Sequence, residues 1–174
     1  MSPARLSYSS RFRVARASLM IVALALPVVA AELANDPKGF DGIPWGSSLE
    51  GRSGFERVEN AGRIQGYERR GSPFAIGRSE VESMRYLEID GQFARVMARY
   101  RGKATHDAIL AELQARYGPA DYGQGQMIRG LNQQYNWRGT DTEINLTYES
   151  RREQGYVFFD SRTLAPRFND HVGD

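Results

Sequence analysis

Val81-Glu-Ser-Met-Arg-Tyr-Leu-Glu-Ile-Asp-Gly-Gln-Phe-Ala-Arg-Val-Met-Ala-Arg-Tyr100 decides the fold. Asp90-Gly91 separates two runs of alternating residues, the strongest short-range signature of a hairpin with a two-residue turn. Counting outward from Ile89 opposite Gln92 puts Val81, Ser83, Arg85, Leu87 and Ile89 on one face, together with Gln92, Ala94, Val96, Ala98 and Tyr100. This face is expected to lie under a helix. The other face then pairs Glu82 with Arg99, Met84 with Met97, Tyr86 with Arg95 and Glu88 with Phe93, giving one salt bridge and one cation–π contact. Arg85 is the odd residue of the inward set. It is expected near a sheet edge with its stem packed and its head in water, the alternative being an internal ion pair.

The helix follows at once. Thr105 reads as its N-cap with Asp107 in the first turn; Ile109, Leu113 and Tyr117 form an apolar stripe with Leu110 alongside. Gly118-Pro119 ends it, since Gly accepts the left-handed C′ conformation and Pro cannot continue a helix. His106 and Asp107 are adjacent, so they diverge on a helix and read as parts of a solvated first turn.

Upstream, Phe55–Glu59 and Arg63–Arg69 read as two strands around Asn60-Ala61-Gly62, and Gly71–Gly77 as a loop with Phe74 and Ile76 buried. Phe40-Asp-Gly-Ile-Pro-Trp-Gly46 reads as an extended entry segment. Downstream, residues 121–130 read as a Gly/Gln-rich loop, followed by strands Gln133–Arg138, Thr142–Glu149 and Gly155–Asp160. The expectation is an α+β domain: one antiparallel sheet of about seven strands, one principal helix on one face, order ββ-ββ-α-βββ. The domain spans residues 40–165, after a linker at 32–39 and before a tail at 166–174, and Leu164 and Phe168 of the trailing segment 161–174 are expected to dock.

Residues 1–31 read as an address. Arg5, Arg11, Arg13 and Arg16 precede the apolar run Ala17–Val29, and Ala30-Ala31 supplies small residues for cleavage. The run is too short for a membrane span, which needs about 20 residues, and it contains Pro27. Removing residues 1–31 changes 23 basic against 21 acidic residues into 19 against 21, so a nucleic-acid reading fails. The expected location is periplasmic or secreted, with no membrane span after cleavage. With no Cys and only His106 and His171, thiol chemistry, redox cofactors and a His-rich metal centre are excluded, and no metal or cofactor is expected.

Phe40-x-Gly42-x-x-Trp45-Gly46, the Asp90-Gly91 hairpin and the helix ending Tyr117-Gly118-Pro119 together resemble a recurrent plan. It is similar to small exported bacterial α+β proteins of uncharacterised families. The likeness implies a single periplasmic domain and carries over no catalytic residue.

Gly-x-Ser-x-Gly, His-Glu-x-x-His and Walker motifs are absent, and Gly123-x-Gly125 lacks the third Gly of a dinucleotide fingerprint. The unusual stretch is Arg129-Gly-Leu-Asn-Gln-Gln-Tyr-Asn-Trp-Arg138. Amides donate and accept, Arg grips anions in bidentate fashion, and Tyr or Trp offers a stacking face. Arg129, Asn132, Gln134, Asn136 and Arg138 are therefore the candidate binding residues, with Tyr135 and Trp137 on the opposite side of the strand. No catalytic residue stands out. The functional expectation is a non-catalytic binding or accessory module of the bacterial cell envelope, its partner an envelope protein or a polar or anionic ligand. The alternative is a small periplasmic hydrolase acting on cell-wall or polysaccharide material with carboxylates.

Overall fold

The computed structural model describes residues 33–71, 73–122 and 132–171. Within these, the chain runs β1 (Gly39–Phe40), β2 (Ile43–Pro44), β3 (Phe55–Ala61), β4 (Ile64–Arg69), β5 (Ala75–Ile76) and β6 (Ser79–Glu80). It continues through β7 (Ser83–Ile89), β8 (Gln92–Arg101), α1 (Lys103–Tyr117), β9 (Asp121–Tyr122), β10 (Asn132–Arg138), β11 (Thr142–Glu149) and β12 (Gln154–Ser161). A 3-10 helix, Ala165–His171, follows. The seven long strands and the short β9 form one antiparallel sheet in spatial order β3-β4-β7-β8-β12-β11-β10-β9. The domain is α+β with one main helix. Its linear order is richer than ββ-ββ-α-βββ because β1–β2, β5–β6 and β9 are two-residue strands too short to show periodicity.

The β7–β8 hairpin turns at Asp90-Gly91, with φ of 54° and 73°, and Ile89 faces Gln92. One turn of the ladder later the register slips: Glu88 faces Phe93, but Leu87 faces Arg95. Ala94 is the extra residue of a β-bulge, and a single extra residue exchanges the faces of everything beyond it. Val96, Ala98 and Tyr100 point inward as expected, but Val96 and Ala98 face Tyr86 and Met84, not Arg85 and Ser83. The expected inward set on β7 is thereby corrected. Arg85 sits on the other face, paired with Glu59 at 2.8 Å and Glu68 at 3.6 Å. The expected Tyr86–Arg95 contact is replaced as well: Arg95 lies over Phe158 and Phe168 and grips Asp160 at 2.6 and 2.9 Å. Glu82 does pair with Arg99, at 3.1 Å.

One face of the sheet is covered by α1 and by the arm of residues 33–49. The arm carries Phe40 onto Phe159 (4.7 Å between ring centres) and Trp45 onto Phe93 (4.8 Å). The stretch with linker composition is docked: Leu33 is buried, and the Asp36 carboxylate accepts from the amides of Asp141 and Thr142 at 2.7 and 3.0 Å. Each wholly buried large side chain, Tyr86, Phe93 and Trp137 among them, stabilises the fold by about 1.5–3 kcal/mol. The helix begins two residues before the expected cap, after Gly102 at φ 87°, and buries His106 in line with Ile109, Leu113 and Tyr117. The solvated reading of His106 is corrected, because the stripe extends one turn toward the N-terminus. Asp107 is beyond the first turn and pairs with Lys103 at 2.6 Å. Phe168 and Leu164 pack with Ile64, Ile89 and Ala94 at one corner of the opposite face. Among the described residues, no other element packs over that face.

Candidate functional site

Two surfaces gather chemistry. The first is a crevice of about 330 Å³ between the β1–β2 hairpin, the β5–β6 hairpin and α1. Phe40-Asp41-Gly42-Ile43 is a second Asp-Gly turn, with φ of 50° and 73°, the same backbone as at Asp90-Gly91. The two aspartates are held differently. Asp90 is clamped by Arg63 at 2.6 and 2.5 Å. Asp41 accepts from the Tyr86 hydroxyl at 3.1 Å and lies 3.6 Å from Arg69, both contacts falling on Oδ2. Across the crevice, Glu112 and Arg116, one helical turn apart, pair at 2.7 Å. Gly77, at φ 59°, lets the β5–β6 turn approach so closely that a Cβ there would stand 2.5 Å from Glu112 Cδ. Burial raises the Tyr117 hydroxyl above its ordinary range; Arg116 opposes this, while Glu112 and Asp41 reinforce it. The four groups therefore share one electrostatic neighbourhood.

The second surface is the open face. Across it, Gln134 faces Thr147, which faces Tyr156, which faces Arg99; in the next row Asn136, Asn145, Phe158 and Met97 align. Asn136 Oδ1 accepts from Gln134 at 3.3 Å and also from Asn145. The Tyr156 and Phe158 rings stack at 6.2 Å. Arg138 pairs with Glu143 at 3.1 Å, and Arg99 and Arg101 share Glu82 at 3.1 and 3.0 Å. Burial raises the Asp160 carboxyl above its ordinary range, opposed by the Arg95 guanidinium bound to it. Three acids hold four arginines around a centre of amides, two hydroxyls and two aromatic rings.

Of the residues singled out in sequence, Gln134 and Asn136 are half-buried on this face, while Asn132 and Arg138 are exposed on it. Arg129, like the Gly123–Gly130 loop, lies outside the described residues. Trp137 is buried and donates through Nε1 to the Gly118 carbonyl at 2.9 Å; Tyr135 is half-buried against the same core.

His106 belongs to neither surface. Its Nδ1 lies 2.6 Å from the Tyr100 hydroxyl and its Nε2 2.9 Å from Gln133 Oε1, and its ring stacks on Tyr148 at 4.7 Å. Tyr100 also donates to the Thr147 carbonyl at 2.8 Å, and its ring occupies the space a Cβ at position 155 would fill. Burial lowers the His106 pKa, with Gln133 and Asp107 opposing.

Sequence reading missed Asp41, Glu112 and Arg116. Asp41-Gly42 carries the same signature as Asp90-Gly91, but its flanking strands are two residues each, so no alternation advertised it. Glu112 and Arg116 have the spacing of an ordinary exposed helical pair. Among the described residues, no three His, Asp or Glu side chains are grouped as metal ligands, and no helix is long and apolar enough to cross a membrane. No family model, curated protein or solved structure matches the chain.

Proposed function

We propose that the chain is an exported, non-catalytic binding module of the bacterial cell envelope, and that it holds uncharged carbohydrate through the open face of its sheet. The observation that carries this reading is the uncharged row of Asn136, Asn145 and Thr147 beside the stacked Tyr156 and Phe158, with the arginines around it each held by Glu82, Glu143 or Asp160. Amides match sugar hydroxyls, and an aromatic face matches the apolar side of a sugar ring. A centre without net charge favours a neutral ligand over an anion. Asn132, Gln134 and Arg138 flank this centre, with Arg129 proposed alongside them. Export is supported by the leader-like sequence of residues 1–31.

The test is retention of the purified protein on isolated cell-wall sacculi and in polysaccharide-containing gels. Retention that falls in Tyr156→Ala and in Asn145→Ala is expected. Absence of retention on every material, or retention unchanged in the double variant, overturns the reading. Intact-mass measurement of the exported protein is expected to show a start at Ala31 or Glu32. The hydrolase alternative draws on Asp41 and Glu112, which line one crevice. Each stands beside an arginine, an arrangement suited to holding charge, so binding is preferred. Release of soluble sugar by wild type but not by Asp41→Asn would reverse that preference.

A further inference from the structure

We propose that the crevice between the β1–β2 hairpin and α1 binds a small zwitterion of the α-amino-acid type with an apolar side chain. This site is independent of the open face, since it lies on the covered side of the sheet. Its volume, about 330 Å³, is at the small end of the range for ligand pockets. Phe40, Leu113 and Phe159 give it an apolar wall, which selects for a hydrocarbon side chain. Its charged groups are two carboxylates, Asp41 and Glu112, and one guanidinium, Arg116.

An acid and an arginine side by side are the electrostatic complement of an ammonium and a carboxylate on one carbon. The Glu112–Arg116 pair at 2.7 Å presents that complement, and only Nη2 of the guanidinium is engaged in it. The Tyr117 hydroxyl also bonds the guanidinium, and a ligand carboxylate can take the donors that neither Glu112 nor Tyr117 uses. The second acid sets the sign. Tyr86 and Arg69 both address Oδ2 of Asp41, leaving Oδ1 to accept from an ammonium. The left-handed backbone of the Asp41-Gly42 turn, φ 50° and 73°, fixes that carboxylate at the crevice mouth without using a flexible stem.

L-Leucine is the probe, titrated into the purified protein by calorimetry and by NMR, beside isoamylamine, which lacks the carboxylate, and 4-methylpentanoate, which lacks the ammonium. Saturable binding of leucine is expected at millimolar concentration or below, with isoamylamine weaker and 4-methylpentanoate unbound. Asp41→Asn retains a residue that tolerates positive φ and is expected to weaken leucine and isoamylamine about tenfold, the scale of a lost charge-assisted contact. Arg116→Gln, on the exposed side of α1, is expected to weaken leucine alone. No saturation with leucine overturns the proposal. So does equal binding of 4-methylpentanoate, or leucine binding indifferent to both substitutions.

Discussion

The covered and open faces of the sheet are made by the same strands, one residue out of step. Trp137 is buried beneath the end of α1, while its neighbours Asn136 and Arg138 look the other way. Tyr100 is buried against His106, while Arg99 and Arg101 reach Glu82 in solvent. The covered face is filled by aromatic rings, and Tyr100, Trp45 and Trp137 bond their polar atoms to Thr147, Thr142 and Gly118. The open face keeps two rings as well, but sets them among amides and keeps charge to the ion pairs around them. A pleat thus separates what holds the protein together from what is free to meet a partner, and substitutions on the two faces should differ in kind.

Phe93→Asp should have the largest effect, because it sets an unpaired charge between Trp45 and Tyr86 on the covered face. The expected outcome is loss of a cooperative melting transition; a variant that melts like wild type would mean the two faces are interchangeable. Next come paired truncations, Trp137→Ala and Tyr156→Ala. The first should lower unfolding free energy by about 3–5 kcal/mol. The second should cost under about 1 kcal/mol, as surface changes do, while reducing carbohydrate retention. Equal destabilisation in urea titrations would show that something covers the open face.

A third prediction uses pH. Burial holds the folded-state pKa of His106 below its unfolded value, so the unfolded chain takes up the proton first. Stability should be intact above about pH 6.5 and fall as pH drops below it. The slope assigned to this residue is the difference between wild type and His106→Gln in urea midpoints at neutral and mildly acidic pH. Identical slopes would remove His106 from the account. The smallest effect is expected for Arg138→Ala. Its pair with Glu143 is exposed, of a kind contributing about 0–1 kcal/mol, so the melting temperature should barely move. A marked drop would place Arg138 with the structural residues of the covered face.

The central hairpin, the helix end at Gly118 and the strands from Asn132 to Ser161 were legible because each has long alternation or an unambiguous stop. The bulge was not legible: Ala94 suits either face, and a one-residue slip leaves composition and turn intact while reversing every later pairing. His106 escaped because a histidine beside an aspartate looks like a solvated turn until the helix is seen to start at Lys103. The amide row was visible in β10, but its partners Asn145, Tyr156 and Phe158 lie on two other strands. The crevice was invisible for the same reason, being assembled from three segments that only the arm's docking brings together.

That docking bears on the order of events during folding. Asp36 bonds to amides 105 and 106 positions away, and Trp45 donates to Thr142, 97 positions away. The β7–β8 hairpin can close on the scale of about 1–10 μs, because its turn is two residues long. The arm has no seat until the β10–β11 turn exists, and reaching that seat closes loops of nearly the whole domain. Synthesis therefore delivers the arm first and folding uses it last. In the interval Phe93 and Phe159 are without their cover, and the half-built sheet is at its most adhesive. Docking of residues 33–49 is therefore expected to come late in folding and to be the step that covers Phe93 and Phe159.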